Sequence, residues 1–274
     1  MKVWVNGALA DGSDAVIPVF DHGLTTGDGV FETAKIVSGR PFALTRHLDR
    51  LALSALGIGL PRPDLALVRG AVDEVLAANR LDGAGRLRIT YTGGVSPLGS
   101  ERGPGPPTLV IAVSAAKSWA EAAAVATVPW SRNERGATAG LKTTSYAENV
   151  RALAYAAERG ASEAIFANTV GNLCEGTGTN VFVRIADRLV TPPLTAGCLA
   201  GVTRALVLEW VGADEQDVPM AAFEEADEIF LTSSTRDVQA VHRVDGRQLH
   251  DVPGPLTRKA GEVFAERSTH DIDP

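Results

Sequence analysis

The chain has 274 residues, 45% of them hydrophobic and 22% charged, and carries a formal net charge of −7. That composition excludes a disordered chain, and an acidic balance unbroken by any Lys/Arg cluster argues against a nucleic-acid surface. No run reaches the roughly eighteen apolar residues of a membrane span, and Met1-Lys-Val-Trp-Val-Asn-Gly7 is not a signal peptide, so a cytoplasmic protein without a membrane partner is expected.

In chain order, Lys2–Val5 reads as a strand entering a tight turn at Asn6-Gly7, with its hairpin partner placed at Ala15–Phe20 through a turn at Asp11-Gly12. A glycine-rich loop, Asp21 to Gly29, feeds the strand Val30–Val37, which turns at Ser38-Gly39 into Pro41–Leu44. From Thr45 the period becomes helical, with Leu48, Leu51, Ala55 and Ile58 on one face and Arg46 and Arg50 paired at i, i+4 on another. A second helix is predicted from Asp64 to Asn79. Arg86–Thr92 alternates as a strand. The loop Gly93–Pro107, more than half Gly and Pro, is either a binding loop or lid or simply mobile. Thr108–Val113 closes a first unit.

A chain of this length suggests two domains. Ser114–Trp119 is the best boundary, giving a domain over 1–115, a linker over 116–120 and a larger domain over 121–274. The second begins with a strand near Ala124–Val128. Ser145-Tyr-Ala-Glu148 fits a capping box ahead of a helix over Asn149–Arg159. Strands follow at Glu163–Ala167, Leu173–Glu175, Asn180–Ile185 and Arg188–Val190, then a helix over Val202–Val211. The strand Asp227–Leu231 runs into Thr232-Ser-Ser-Thr235. A hairpin turning at Asp245-Gly246 and a helix over Leu256–Arg267 complete the chain. Strand pairs on tight turns with few βαβ units give an α+β class.

Nucleotide-type glycine loops and a nucleophile elbow are missing from the sequence, and two cysteines (Cys174, Cys198) and five scattered histidines have no metal-ligand spacing, so no metal is expected. What remains is Lys142, a single lysine in the small-residue run Gly140–Asn149, either a solvated surface residue or a reactive amine held beside a rigid helix. Glu175 follows an apolar strand and precedes a small-residue turn. Gly201-Val202-Thr203 opens a helix, where backbone N–H groups and the dipole favour an anion. Ser234 and Thr235 add hydroxyl and backbone donors, and Arg50 offers a fork for the same anion.

Asp28-Gly-Val-Phe-Glu32, His47-Leu-Asp-Arg50, Lys142 ahead of its helix, Glu175-Gly-Thr-Gly-Thr-Asn180-Val-Phe, Thr191-Pro-Pro, Gly201-Val-Thr203 and Ser234-Thr235 together resemble the class IV aminotransferases. These are the fold type IV pyridoxal-phosphate enzymes, and the resemblance runs from Val3 to Gly246. It implies a two-domain fold, with a small N-terminal α/β domain and a larger C-terminal domain built on a β-barrel-like core. It implies pyridoxal 5'-phosphate as cofactor, with Lys142 as the Schiff-base lysine and proton carrier. Glu175 would partner the pyridine nitrogen, and Arg50, Val202, Thr203, Ser234 and Thr235 would hold the phosphate. Tyr146 would reach the cofactor's phenolic oxygen, although its offset from Lys142 is one residue shorter than in the branched-chain subgroup. A homodimer with shared active sites is implied, each site lying between the domains and completed by the neighbour's loops.

The substrate end departs from each well-known subgroup. Leu98 and Ser100 stand where the resemblance places an Arg-x-His pair for the substrate carboxylate, and Phe31 stands where a tyrosine is usual. Arg102 is either a replacement anchor or a solvated loop residue. The implied activity is transamination between a D-amino acid, with (R)-primary amines as further donors, and a 2-oxo acid. Alternatives are an aminodeoxychorismate lyase and a branched-chain transaminase.

Overall fold

The computed structural model describes residues 1–81 and 83–274, which form two compact units. The first holds Met1–Lys117, Leu141–Tyr146 and Ile272–Pro274. Its elements are β1 (Lys2–Val5), β2 (Ala8–Asp11), α1 (His22–Thr25), β3 (Gly29–Val37), β4 (Arg40–Pro41), α2 (Leu44–Gly57), α3 (Leu65–Ala78), β5 (Gly85–Thr92) and β6 (Thr108–Ala115). The strands form an antiparallel sheet in the order β2-β1-β6-β5-β3-β4. Strand alternation sends Val30, Ala34 and Ile36 of β3, with Leu87, Ile89 and Tyr91 of β5, into a core shared with Leu48 and Leu51 of α2 and Val68 and Val72 of α3. Phe31, Thr33, Arg86, Arg88 and Thr90 therefore point to the sheet's other face. The side chain of Asp64 caps α3 by accepting from the N–H groups of Ala66 and Leu67, 3.0 and 3.1 Å away.

Ala15–Phe20 is not a strand, contrary to expectation; β1 pairs instead with Ala8–Asp11. Asn6 (φ 45°) and Gly7 (φ 106°) both take positive φ, so the two-residue turn closes the hairpin at once. Val16 and Val19 are left exposed.

The predicted boundary also needs correction. The first crossing between units falls at Lys117/Ser118, but two later stretches belong to the first unit and not to a continuous 121–274 domain. Leu141–Tyr146 lies along the amino-terminal half of β3, where Thr143 bridges to Val30 and the N–H of Phe31 donates to the Lys142 carbonyl at 3.0 Å. Ile272–Pro274 caps α2. Ala43 (φ 54°) provides no side-chain acceptor there, and Asp273 takes the N–H and hydroxyl of Thr45 at 2.7 and 2.6 Å.

The second unit, Ser118–Gly140 and Ala147–Asp271, contains β7 (Ala122–Thr127), α4 (Ala147–Ala157), β8 (Glu163–Ala167), β9 (Leu173–Gly176), β10 (Asn180–Ile185), β11 (Arg188–Thr191) and α5 (Val202–Trp210). β12 (Asp214–Glu215), α6 (Met220–Glu225), β13 (Ile229–Ser233), β14 (Asp237–Val244), β15 (Arg247–Gln248) and α7 (Pro255–His270) follow. A curled sheet runs β12-β11-β10-β13-β14-β7-β8-β9, with β15 paired to β14. It is mixed: β7 pairs in parallel with β14 and, across α4, with β8. Period-two alternation serves two cores, since Ala123, Val125 and Ile165 face one side and Ala124, Ala126 and Phe166 the other. The expected capping box is absent. Helix α4 starts at Ala147, the Ser145 hydroxyl donates to the Gly27 carbonyl at 3.0 Å, and Glu148 pairs with Arg132 at 3.3 Å.

Candidate active site

In the first unit the Lys142 segment is fixed at several points. Its amide donates to the Ser54 hydroxyl on α2 (3.1 Å), the Thr144 amide donates to the Gly29 carbonyl (2.8 Å), and the Thr144 hydroxyl donates to the Gly27 carbonyl (2.8 Å). The amine Nζ then lies 4.3 Å from the Phe31 ring centre and 3.5 Å from the Tyr146 hydroxyl. Phe31 and Tyr146 meet edge to face at 5.0 Å. An amine packed against aromatic faces is held in a defined place, as a nucleophile or proton carrier must be.

Arg88 joins this group. Its guanidinium carbon lies 3.3 Å from the Phe31 ring centre, and its only described hydrogen bonds are long ones, 3.4 Å each, to the hydroxyls of Thr90 and Thr33. Burial pushes its pKa down to about 10, against the opposing pull of Tyr146 and Glu32. A partly desolvated guanidinium whose described hydrogen-bond partners are neutral hydroxyls suits an incoming carboxylate. The sequence carried the signal in the alternation of β5, which puts Arg88 on the face of Phe31, but Arg88 was not among the predicted site residues.

On the opposite face Glu32 is almost fully buried. The Arg50 fork donates to it through Nε and Nη2 at 2.8 and 2.7 Å, and His47 Nδ1 lies 2.6 Å away. Burial pushes the Glu32 carboxyl up, but the Arg50 charge and these hydrogen bonds overcome it and bring the pKa down to about 2. Burial, opposed by Glu32, keeps the His47 imidazole below its ordinary value. Arg50 thus has its orientation set by Glu32, on the same helix as the Ser54 that holds Lys142.

The predicted substrate residues divide. Phe31 stands beside Lys142. Leu98 is 77% exposed and Ser100 is exposed. The Arg102 fork grips Asp28 at 2.7 and 2.6 Å and also donates to the carbonyls of Gly59 and Ile58, both at 2.7 Å. It pins the Gly93–Pro107 loop to the end of α2, and its hydrogen bond holds the Asp28 carboxyl below the usual carboxylate range.

In the second unit Glu175 projects from β9 opposite the buried Cys174. Its Oε2 accepts from the Leu199 amide at 2.9 Å, and Arg132 Nε stands 3.4 Å from Oε1. Gly201 begins α5 without a side chain to cap the first amides, and Thr203 is buried in the first turn. A Cβ at Gly201 would fall 1.9 Å from Asn180 Oδ1, so glycine is needed for close approach. Ser234 and Thr235 form the turn between β13 and β14, where the Arg236 amide donates to the Ser233 hydroxyl at 3.2 Å. Val202, Thr203, Ser234 and Thr235 thus offer helix-end and turn amides with hydroxyls, the donor set a phosphate takes. Among the described residues no cluster of His, Cys, Asp or Glu could hold a metal.

Comparison with known proteins agrees with this chemistry. A putative branched-chain-amino-acid aminotransferase of Methanocaldococcus jannaschii is 34% identical over 281 residues, covering 98% of this chain and 97% of the relative. A bifunctional aminodeoxychorismate lyase / D-amino acid transaminase of Mycobacterium tuberculosis is 32% identical over 292 residues, covering 97% and 96%. The crystal structure of a branched-chain aminotransferase from Thermoproteus uzoniensis with norvaline matches with a TM-score of 0.90 at 29% identity, covering 97% of this chain and 94% of that one. The amino-transferase class IV model matches residues 29–244, and the chain belongs to that family.

Proposed function

We propose that the protein transfers an amino group between a D-amino acid and a 2-oxo acid, with Lys142 as the catalytic amine and Arg88 as the anchor of the substrate carboxylate. The observation that carries the reading is the cluster of Lys142, Tyr146, Phe31 and Arg88 on one side of the first unit's sheet. Class IV aminotransferases depend on pyridoxal phosphate, and the donor set at α5 and the Ser234–Thr235 turn fits its phosphate. When bound, that cofactor supplies an electron sink for the carbanion formed on loss of the α-proton. Lys142 carries that proton, and the Tyr146 hydroxyl at 3.5 Å steadies the amine. Glu175, fixed by the Leu199 amide, is the acceptor for a protonated pyridine nitrogen. Val202, Thr203, Ser234 and Thr235 of the second unit are the phosphate's ligands.

Two readings of the donor compete with the first. A branched-chain donor is favoured by the names of two relatives. A lyase releasing pyruvate from aminodeoxychorismate is favoured by the name of the third. The exposed apolar residues Val16, Val19, Phe20, Leu24 and Leu98 of the first unit support a homodimer.

The test is addition of one donor at a time to protein loaded with cofactor, read by the cofactor's absorbance. Conversion by D-alanine, with none by L-leucine and no pyruvate from aminodeoxychorismate, is expected; conversion by L-leucine alone would replace the D-amino acid reading. Lys142→Ala should retain cofactor and lose turnover. Arg88→Leu should raise KM for the amino acid about 10- to 100-fold, the size of a lost charge-assisted hydrogen bond, and leave cofactor content unchanged.

A further inference from the structure

We propose that Glu163 is a positioning residue that sets the turn after Glu175 and the turn carrying Ser234 and Thr235 in one register. The inference rests on the cofactor sites proposed above and extends them to a residue that touches neither ring nor phosphate. Glu163 opens β8 and is almost fully buried. One of its oxygens serves the first turn: Oε1 accepts from the Thr177 amide at 2.9 Å and from the Thr177 hydroxyl. Thr177 is two residues past Glu175. The other oxygen serves the second turn: Oε2 accepts from Arg236 Nη2 at 3.1 Å, and Arg236 directly follows Thr235.

Further contacts hold each turn. The Gly176 amide donates to the Thr179 carbonyl at 2.8 Å, and Asn149 donates to the Thr177 carbonyl at 2.6 Å. Gly176 is packed so closely that a Cβ there would lie 3.2 Å from the Glu163 carboxyl carbon and 2.2 Å from the Thr179 hydroxyl. Arg236 is braced by the Trp119 ring, 3.7 Å from its guanidinium carbon, and by Gln239 Oε1 at 2.8 Å. A buried ion pair adds little net stability over an apolar pair of the same shape, because both partners must be desolvated. Fixed geometry is what this pair contributes. Through Thr177 it sets where the Glu175 strand ends, and through Arg236 it sets the turn of phosphate donors.

The two arms can be read separately by comparing pyridoxal phosphate with pyridoxal, which lacks the phosphate. Arg236→Met should weaken binding of pyridoxal phosphate by the apoprotein about tenfold, a typical cost for a lost charge-assisted contact, and leave pyridoxal affinity unchanged. Thr177→Val should leave both affinities unchanged and slow the half-reaction with the amino donor about tenfold. Glu163→Gln keeps the shape, loses the charge and should show both effects. Equal loss of affinity for the two ligands in every variant, or wild-type behaviour of all three, would overturn the proposal, because a general loosening of the fold does not separate the arms. Wild-type protein that binds neither ligand would overturn the cofactor reading and this inference with it. Should Glu163→Gln fail to fold, Arg236→Met and Thr177→Val still decide the matter.

Discussion

Glu32 shows at the scale of one residue how a site is held from behind. Its carboxylate lies under β3 in an apolar core, where an unpaired charge would be expelled, and it remains ionised because Arg50 and His47 meet it there. An acid whose folded pKa is depressed contributes stability above its unfolded pKa and loses it as pH falls towards the folded value. For Glu32 that window runs from about 4.5 down to about 2 and is worth on the order of 3 kcal/mol. Denaturant melts of the wild type should therefore weaken through this window, while Glu32→Gln, less stable at neutral pH, should flatten the acid limb. The sequence displayed Arg50 and His47 one turn apart and Glu32 on its strand. It did not display their meeting, which needs β3 laid against α2. Lys142, Glu175 and the α5 terminus were legible as types of residue in types of place. The role of Arg88 is not legible, because an arginine on an alternating strand looks solvated until its neighbours on the sheet are known.

Among the elements, α2 depends most on distant chain. Its first turn has no acceptor from Ala43, and Asp273 supplies one from 228 positions away. Removing a helix cap typically costs about 1 kcal/mol, so Asp273→Ala should lower Tm by about 2–4 °C, and Asp273→Asn should restore most of it in a thermal melt. Helices α2, α3 and α5 were legible from period and punctuation. The cap was not, because Asp273 sits in a short polar tail with no local pattern. The first hairpin failed for the opposite reason. Ala15–Phe20 has strand-like composition, but Asn6-Gly7 had already turned β1 back on Ala8–Asp11 and Pro18 lacks an N–H to pair. In the Arg102 loop the Gly and Pro content was legible, while the grip on Asp28 was not.

For the molecule as a whole, Cys174 and Cys198 report on global integrity. Both are buried in one core of the second unit, and burial pushes Cys198 up to about 12 and Cys174 further. Neither should react with a disulfide reagent in the native protein at neutral pH, and both should react as one step on unfolding, which a timed thiol assay in denaturant checks. The course of the chain has another consequence. The lysine segment pairs with β3 although it follows Gly140, and the tail caps α2 although it follows α7. Anyone dividing the gene at residue 117 would sever Lys142 from its own scaffold. The resulting amino-terminal fragment would expose the bare Gly29–Phe31 edge, a template for sticking to itself, and its arginine-bearing helix would begin unsealed.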